Sequence, residues 1–187
     1  MILELVDYKA YLNVIQSEYD DILQTIAEGA EQEIQTYLGF DLESEEKTEY
    51  YNGTDSEILV LDAFPVTAVT TISYWDGSDW VDLTSSDYNA LRIKNLSSVY
   101  TDGYTFTKGT MNYKVVYTAG YTTVPSDIDL AMKKLTRLRW DETPFGLNRL
   151  GLNSKNNSGG VQSSLSFKAN AEKEIFDTIA KYRHINV

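Results

Sequence analysis

The chain has 187 residues, of which 42% are hydrophobic, so it can form one domain with a buried core. The absence of cysteine excludes disulfides, thiolate catalysis and the common zinc sites. No apolar stretch approaches the roughly 20 residues of a membrane-spanning helix, and the acidic N-terminus lacks the basic start of a signal peptide, so we expect no contact with a membrane.

The net charge of -12 is distributed unevenly along the chain. Residues 1–50 carry 13 acidic and two basic side chains, whereas residues 126–187 carry seven acidic and ten basic ones. Opposite charges at the two ends favour contacts between the front of one copy and the rear of the next, which close into a ring when the rotation permits. An acidic helix packed beside a basic one within a single chain gives the same pattern, and the sequence leaves both interpretations open.

Three segments have the apolar spacing of helices. The first, at about 18–38, is acidic on its other face and ends at Gly39, where a left-handed cap is expected. The second, at 126–141, begins with a capping pattern at Ser126 and gathers basic residues toward its C-terminal end. The third, at about 170–183, has an apolar stripe that can serve either as core or as a docking surface.

Between the helices, residues 48–125 have the alternation and turn signals of short strands. The turn from Asp76 to Asp79 predicts a β-hairpin with Trp75 and Trp80 at its mouth. The clearest strand spans residues 111–118. Residues 95–110 carry little pattern and are predicted as a loop or an irregular hairpin.

The fold class predicted from this pattern is α+β: a small helical bundle, with helices at about 18–38, 126–141 and 170–183, that carries an inserted element rich in β-hairpins. We expect a helical core from residues 1–47 and 126–143, a β-rich element from residues 48–125, and a C-terminal arm with a terminal helix from residues 144–187.

The arm, residues 144–170, is rich in Gly, Ser and Asn, a composition typical of a segment that is flexible when alone. It either folds locally or is held by a partner, and its apolar residues favour the partner. Scattered apolar residues supply anchors in it: Phe145, Leu147, Leu150, Leu152, Leu165 and Phe167. The terminal helix adds four more: Ile175, Phe176, Ile179 and Tyr182. We predict that these ten residues form a docking surface.

No pattern typical of an active site is found in the sequence. His184 is the single histidine, and the pair Gly159 and Gly160 lacks the lysine and hydroxyl residue of a phosphate-binding loop. The turn from Asp76 to Asp79 lacks the twelve-residue loop and closing glutamate of a calcium site. We therefore expect no catalysis, no bound metal and no cofactor.

Three groups of residues resemble motifs of the head–tail connector proteins of tailed bacteriophages, also called adaptor or head-completion proteins. The first lies in the acidic helix and comprises Asp20, Asp21, Ile22, Leu23, Ile26, Ala30, Ile34, Tyr37, Leu38 and Gly39. The second lies in the short strands that follow and comprises Leu59, Leu61, Pro65, Val66, Val69 and Ile72. The third is a strand-to-helix junction that comprises Tyr117, Ala119, Gly120, Tyr121, Val124, Pro125, Asp127, Ile128 and Ala131. Together they cover about residues 5–141 in the family's order.

This resemblance implies a structural protein of the virion neck that is assembled in the host cytoplasm and is not an enzyme. Family members form a ring, usually of twelve copies, beneath the portal vertex. The ring extends the DNA channel and gives the tail or a stopper protein a docking surface. Because the C-terminal segment of several members reaches the portal, the resemblance assigns the docking residues of the arm and terminal helix to the portal.

An acidic wall suits a channel through which DNA slides without sequence-specific binding, because a protein that grips phosphates needs a basic groove. The candidates for this wall are acidic residues of the first helix and of the connection that follows it: Asp20, Asp21, Glu28, Glu31, Glu43, Glu45 and Glu46.

Two other interpretations fit parts of the sequence. A different neck or tail component, such as a stopper or tail terminator, is typically richer in β-structure and lacks the long first helix. A carbohydrate-binding module would stack sugar rings on Trp75 and Trp80, but aromatic residues that bracket a hairpin turn are more often a cross-strand pair.

Overall fold

Residues 2–146 and 160–184 are described by the computed structural model, with the backbone alone for residues 160–169. The chain divides into a helical unit, residues 1–39 and 124–187, and a strand unit, residues 40–123, that is inserted into its sequence. The predicted α+β fold class, a small helical bundle with an inserted β-element, is confirmed. Among the helices of the described residues, none has the length and apolarity that spanning a membrane requires.

The helical unit contains, within its described residues, the helices α1 (Leu5–Leu12), α2 (Asp20–Leu38), α3 (Ser126–Asp141) and α4 (Gly160–Ile179). Single 3₁₀ turns precede α2 at Ser17–Tyr19 and follow α4 at Ala180–Tyr182. Gly39 ends α2 with a φ of 83°, and its N–H donates to the carbonyl of Gln35 at 2.9 Å. The left-handed cap predicted at Gly39 is therefore confirmed.

Helix α4 begins earlier than the sequence pattern predicts. It starts at Gly160, about ten residues before the predicted start near residue 170. After Gly160 the segment contains no glycine or proline as far as Ile179, so its serine-rich composition lowers helix propensity without breaking the helix. Part of the predicted arm is therefore helical.

The core of the helical unit lies where the apolar stripes of its helices meet. Helices α2 and α3 each bury residues at the three- and four-residue spacing of a helix face. The buried apolar side chains of the three longer helices include Leu23, Ala27, Ala30, Ile34 and Leu38 of α2, Ile128, Ala131, Met132, Leu135 and Trp140 of α3, and Ile175 and Ile179 of α4.

The strand unit consists of seven strands in two antiparallel sheets: β1 (Glu45–Gly53), β2 (Ile58–Val60), β3 (Val66–Trp75), β4 (Trp80–Asp82), β5 (Ala90–Lys94), β6 (Ser98–Asp102) and β7 (Gly109–Ala119). The larger sheet has the order β1-β7-β3-β4 and the smaller one the order β2-β6-β5. Strand β6 pairs with β5, so residues 95–110, predicted as a loop or an irregular hairpin, supply the second strand of a hairpin.

The junction after β7 requires glycine. Gly120 has a φ of 101°, and a Cβ at this position would lie 2.1 Å from the carbonyl oxygen of Glu43. The N–H of Gly120 donates to the carbonyl of Pro65, and the N–H of Tyr121 donates to that of Leu42, each at 2.9 Å. The glycine of the strand-to-helix motif therefore lets the chain pass close to the segment that precedes β1.

Candidate functional site

Helix α4 is packed into its own helical unit, which removes two residues from the predicted docking surface. Ile175 is 5% exposed and Ile179 is fully buried. These two side chains belong to the core, so they do not dock on a partner while the unit is folded. Phe176 is half-buried, with its ring centroid 4.8 Å from that of Tyr37 on α2. The sequence left two roles open for this stripe, core or docking surface. Ile175 and Ile179 belong to the core.

The end of the chain is held to the helical unit by polar contacts. The Lys181 ammonium lies 2.5 Å from the carboxylate of Asp127, and the hydroxyl of Tyr182 lies 3.4 Å from it. The hydrogen bond from Lys181 and its charge lower the pKa of the Asp127 carboxyl below its ordinary value. The N–H of His184 donates to the carbonyl of Leu38 at 2.9 Å. Tyr182, a predicted docking residue, is half-buried by this arrangement.

An arginine joins three helices of the unit. Arg139 of α3 donates from Nη2 to both carboxylate oxygens of Glu33 on α2 at 3.0 Å, and from Nη1 to Glu172 on α4 at 2.5 Å. The acidic and basic ends of the sequence therefore meet partly within one chain, as the intramolecular interpretation of the charge pattern predicts.

Of the six predicted docking residues in the arm, only Phe145 has a side chain that the structure describes. Phe145 is 45% exposed, and its ring centroid lies 5.2 Å from Tyr19 and 6.4 Å from Trp140. Leu147, Leu150 and Leu152 lie outside the described residues, and Leu165 and Phe167 lie in the part of α4 where only the backbone is described. Phe145 is thus the predicted anchor with the greatest exposure among those whose side chains are described.

Glu31, predicted to line a channel, is a buried structural residue instead. It is 3% exposed, and its carboxylate accepts hydrogen bonds from the N–H groups of Ile2 and Leu3 at 2.8 and 3.1 Å and from the hydroxyl of Tyr8 at 2.7 Å. Burial and the bond to Glu31 raise the pKa of the Tyr8 hydroxyl far above its ordinary value. The lumen prediction for Glu31 is therefore wrong. Its position four residues after Ala27 on the buried face was the signal available in the sequence.

The remaining acidic candidates on α2 are exposed to different degrees. Asp20 is paired with Lys9 at 2.5 Å, which offsets its charge. Asp21 and Glu28 are exposed, and Glu28 accepts a hydrogen bond from Gln24 at 2.9 Å. Among the predicted wall residues of α2, Asp21 and Glu28 are therefore the most exposed.

Glu43, Glu45 and Glu46 are exposed at the start of the larger sheet. Glu45 and Glu46 lie in β1, opposite Ala119 and Thr118 of β7, and Glu43 forms an isolated bridge with Tyr121. The sheet therefore fixes the backbone of Glu45 and Glu46, whose side chains leave β1 on opposite faces, whereas the sequence pattern predicted a charged connection.

The sequence pattern did not single out a polar cluster in the core of the strand unit. The carboxylate of Glu49 accepts hydrogen bonds from the hydroxyls of Tyr51 and Tyr117, the latter at 2.5 Å. The Tyr117 hydroxyl also accepts from the N–H of Ala63 at 3.1 Å. Burial and the bond to Glu49 raise the pKa of Tyr117 to about 12. Alternation along β1 and β7 places these side chains on one face, but the pairing of the two strands is needed to bring them together.

Within the described ranges, no group of three or more His, Cys, Asp or Glu side chains is arranged to hold a metal ion. The aromatic residues proposed for sugar stacking contact each other: the rings of Trp75 and Trp80 meet edge to face with centroids 5.4 Å apart. The described surface carries exposed carboxylates, an exposed Phe145 and the Trp75–Trp80 pair.

The family model named "Head completion protein" matches residues 1–183. The chain belongs to the head completion protein family. A search of curated proteins finds no match. Family membership makes this protein a structural component of the virion neck, where the head is joined to the tail.

Three solved structures have a similar fold to this family member. They are chains of the neck of an empty gene transfer agent particle computed with C6 symmetry, of the virion of the native particle, and of the native neck computed with C12 symmetry. Their identities are 14%, 14% and 15%, with TM-scores of 0.62, 0.60 and 0.62. Each match covers 100% of this chain and 91% of the other chain.

Proposed function

We propose that this head completion protein forms a ring, of twelve copies, that joins the portal to the tail or to the next neck protein and extends the DNA channel. The observation that carries the proposal is the family match, which spans residues 1–183 and so includes both units. The gene transfer agent necks, whose chains share the fold, were computed with C6 and C12 symmetry, which supports a ring. The role is structural, without catalysis or a cofactor.

The channel wall of the proposed ring is formed by Glu43, Glu45 and Glu46, with Asp21 and Glu28 as the second group of exposed candidates. Carboxylates repel the phosphates of a passing duplex, so the DNA slides without being gripped. Asp20 contributes less, because Lys9 offsets its charge. The overall charge of -12 supports a conduit and disfavours a protein that binds DNA tightly.

The portal contact in this proposal is made by the segment that begins at Phe145. Phe145 is exposed, and leucines follow at positions 147, 150 and 152. Apolar anchors of this kind bind weakly one by one, but a ring that presents many copies to a symmetric portal multiplies them. Phe176 and Tyr182, both half-buried, extend the contact where the portal covers their exposed edges.

The experiment that tests the ring is a mass measurement of the purified protein, alone and mixed with the portal protein of the same particle, by native mass spectrometry. We expect a twelve-copy ring, either alone or on the portal. A protein that stays a single copy under both conditions contradicts the proposal.

The portal contact is tested with the variant Phe145→Ser. Its control is Val60→Ser on β2, because Val60 is also a strongly exposed apolar residue but lies in the strand unit. We expect Phe145→Ser to weaken portal binding and Val60→Ser to leave it unchanged. Equal binding by both variants would remove Phe145 from the contact.

A further inference from the structure

The solvent-facing side of the larger sheet carries three large aromatic residues, which we call the aromatic patch: Tyr50 on β1, Trp75 on β3 and Trp80 on β4. The ring of Trp80 lies 5.4 Å from that of Tyr50 and 5.4 Å from that of Trp75, measured between centroids. The opposite side of the sheet faces the core, where Tyr51 and Tyr113 are buried. The aromatic patch is therefore separate from the core of its unit.

The aromatic patch leaves much apolar surface in contact with solvent. Tyr50 is 47% exposed and Trp75 is 43% exposed. Cross-strand packing explains why Trp75 and Trp80 touch, but it does not explain a third ring and this degree of exposure. Tyrosine and tryptophan are the residue types that most often supply the binding energy of protein interfaces. The patch thus has the composition of an interface centre.

The charges around the aromatic patch favour a basic partner. The hairpin turn beside Trp75 and Trp80 carries the exposed carboxylates of Asp76 and Asp79, and Asp82 follows on β4. The Lys114 ammonium offsets part of this negative charge and lies 5.4 Å from the centroid of the Trp80 ring. A partner with an apolar centre and flanking cations complements this surface.

Such a surface exists on α3 of the same protein. Leu130, Lys134 and Arg137 are spaced four and three residues apart, so they lie along one stripe of the helix, which we call the basic stripe. Leu130 is 42% exposed, so its apolar side chain is open to contact. The Arg137 side chain is 59% exposed, and its Nε lies 3.8 Å from Asp141, too far for a hydrogen bond. The basic stripe therefore offers both an apolar contact and available positive charge.

We propose that the aromatic patch of one copy binds the basic stripe of a second copy, and that this contact joins neighbouring subunits of the ring. The inference rests on the proposed ring function and names the two surfaces that build it. Leu130 packs against the aromatic rings, and Arg137 stacks on a ring face, where a guanidinium binds well. Lys134 faces the carboxylates of Asp79 and Asp82. Because the two surfaces differ, the contact repeats head to tail from copy to copy.

Disulfide trapping tests this contact. The natural chain has no cysteine, so only the introduced thiols can form cross-links. The full-length variant Asp79→Cys with Lys134→Cys places one thiol on each surface. Under mild oxidation we expect covalent multimers up to the size of the ring, whereas either single substitution gives dimers at most. The control pairs Asp79→Cys with Lys94→Cys, since Lys94 is an exposed lysine of β5 outside the basic stripe, and we expect it to give nothing larger than dimers.

Charge reversal tests the same contact without a covalent bond. We expect Lys134→Glu with Arg137→Glu to weaken self-association by about tenfold or more, because like charges then face each other. Adding Asp79→Lys to that variant restores most of the loss. The control Lys94→Glu leaves self-association unchanged.

The outcomes separate this inference from the proposed function. A ring that forms but gives no multimers on oxidation and is unaffected by charge reversal overturns the inference and leaves the ring in place. A variant Trp80→Ala that self-associates normally but no longer binds the portal assigns the aromatic patch to the portal, which also overturns the inference. A protein that forms no oligomer, alone or on the portal, overturns both.

Discussion

Gly29 has room for a side chain, whereas Gly120 has none. Gly29 is exposed inside α2, and a Cβ there would meet no atom within 4 Å. Gly120 has a φ of 101°, and a Cβ there would lie 2.1 Å from the carbonyl oxygen of Glu43. The cost of replacing glycine therefore depends on the position and not on the residue type.

We expect Gly29→Ala to raise the free energy of unfolding by about 1 kcal/mol, because alanine restricts the unfolded chain and favours the helix. Gly120→Ala should lower that free energy by about 1–3 kcal/mol, because alanine is strained at this φ and too large for the space. Denaturant titration of the two variants measures both effects. A loss of stability in Gly29→Ala would show that a methyl group does not fit on the exposed face of α2.

Tyr117 gives the strand unit a measurable dependence on alkaline pH. Its pKa is raised to about 12 by burial and by the bond to Glu49, whereas an unfolded tyrosine ionises near 10. The folded state thus favours the protonated hydroxyl: its contribution to stability is complete below pH 10 and is lost as the pH rises toward 12. We expect Tyr117→Phe to show a smaller fall in the free energy of unfolding over this range than the natural chain. An identical fall in both proteins would contradict the assignment.

For single residues, sequence patterns predicted the burial of apolar side chains better than the burial of charged ones. The buried stripe of α2 follows directly from helical spacing, yet Glu31 was counted among exposed acids although it lies on that stripe. Its burial depends on donors from Ile2, Leu3 and Tyr8, which are 23 or more residues away in the chain. Helical periodicity shows where a side chain points, but only the fold supplies the partners that make a buried carboxylate stable.

Among the elements, the three helices α2, α3 and α4 are linked by Arg139. We expect Arg139→Ala to lower the free energy of unfolding by about 1 kcal/mol, because its ion pairs are partly exposed and each contributes little. The control Arg137→Ala removes a more exposed arginine of the same helix and should change stability by less than about 0.5 kcal/mol. Chemical denaturation in low and high salt checks both, and the effect of Arg139→Ala should shrink in high salt.

Helix α4 is part of the folded unit, so truncating the chain within it has a structural cost. Deleting residues 170–187 removes Ile175 and Ile179 from the core, and each buried isoleucine contributes about 2–5 kcal/mol. That loss is comparable to the total stability of an ordinary domain. We expect the truncated chain to lose the cooperative thermal unfolding of its helices, followed by circular dichroism. Phe145→Ser, which changes an exposed side chain, should keep the cooperative transition. A cooperative transition in the truncated chain would show that the part of α4 after residue 169 is dispensable.

Element boundaries were predictable where the sequence marks them. Helix α3 starts at Ser126 and α2 ends before Gly39, as the pattern predicts. The capping pattern predicted at Ser126 is wrong, however, because Pro125 is the N-cap of α3 and no side-chain cap hydrogen bond forms there. The start of α4 has no such mark, because its first turns are rich in serine, and it was placed about ten residues too late. Sheet order was not predictable either, since β1 pairs with β7 across more than 50 residues of intervening chain.

For the whole molecule, the exposed carboxylates of the strand unit lead to a prediction about particles. We expect a variant with Glu43, Glu45 and Glu46 changed to Gln to fold with unchanged stability, because all three are exposed. In assembled particles this variant should slow genome ejection, since a neutral wall repels the duplex less. The control Asp62→Asn removes an exposed acid outside the predicted wall. Ejection kinetics that match the natural particle would remove these residues from the lumen.

The pairing of Glu45 with Ala119 has a consequence for how such proteins diversify. It brings the entry and the exit of the strand unit side by side, although 73 positions separate them in the numbering of the chain. A segment whose ends are neighbours can be excised and bridged by a short linker, or exchanged for another segment, without stretching the host backbone. Recombination between genomes could therefore transplant this portion as a cassette, leaving the surrounding helices to a different ancestry.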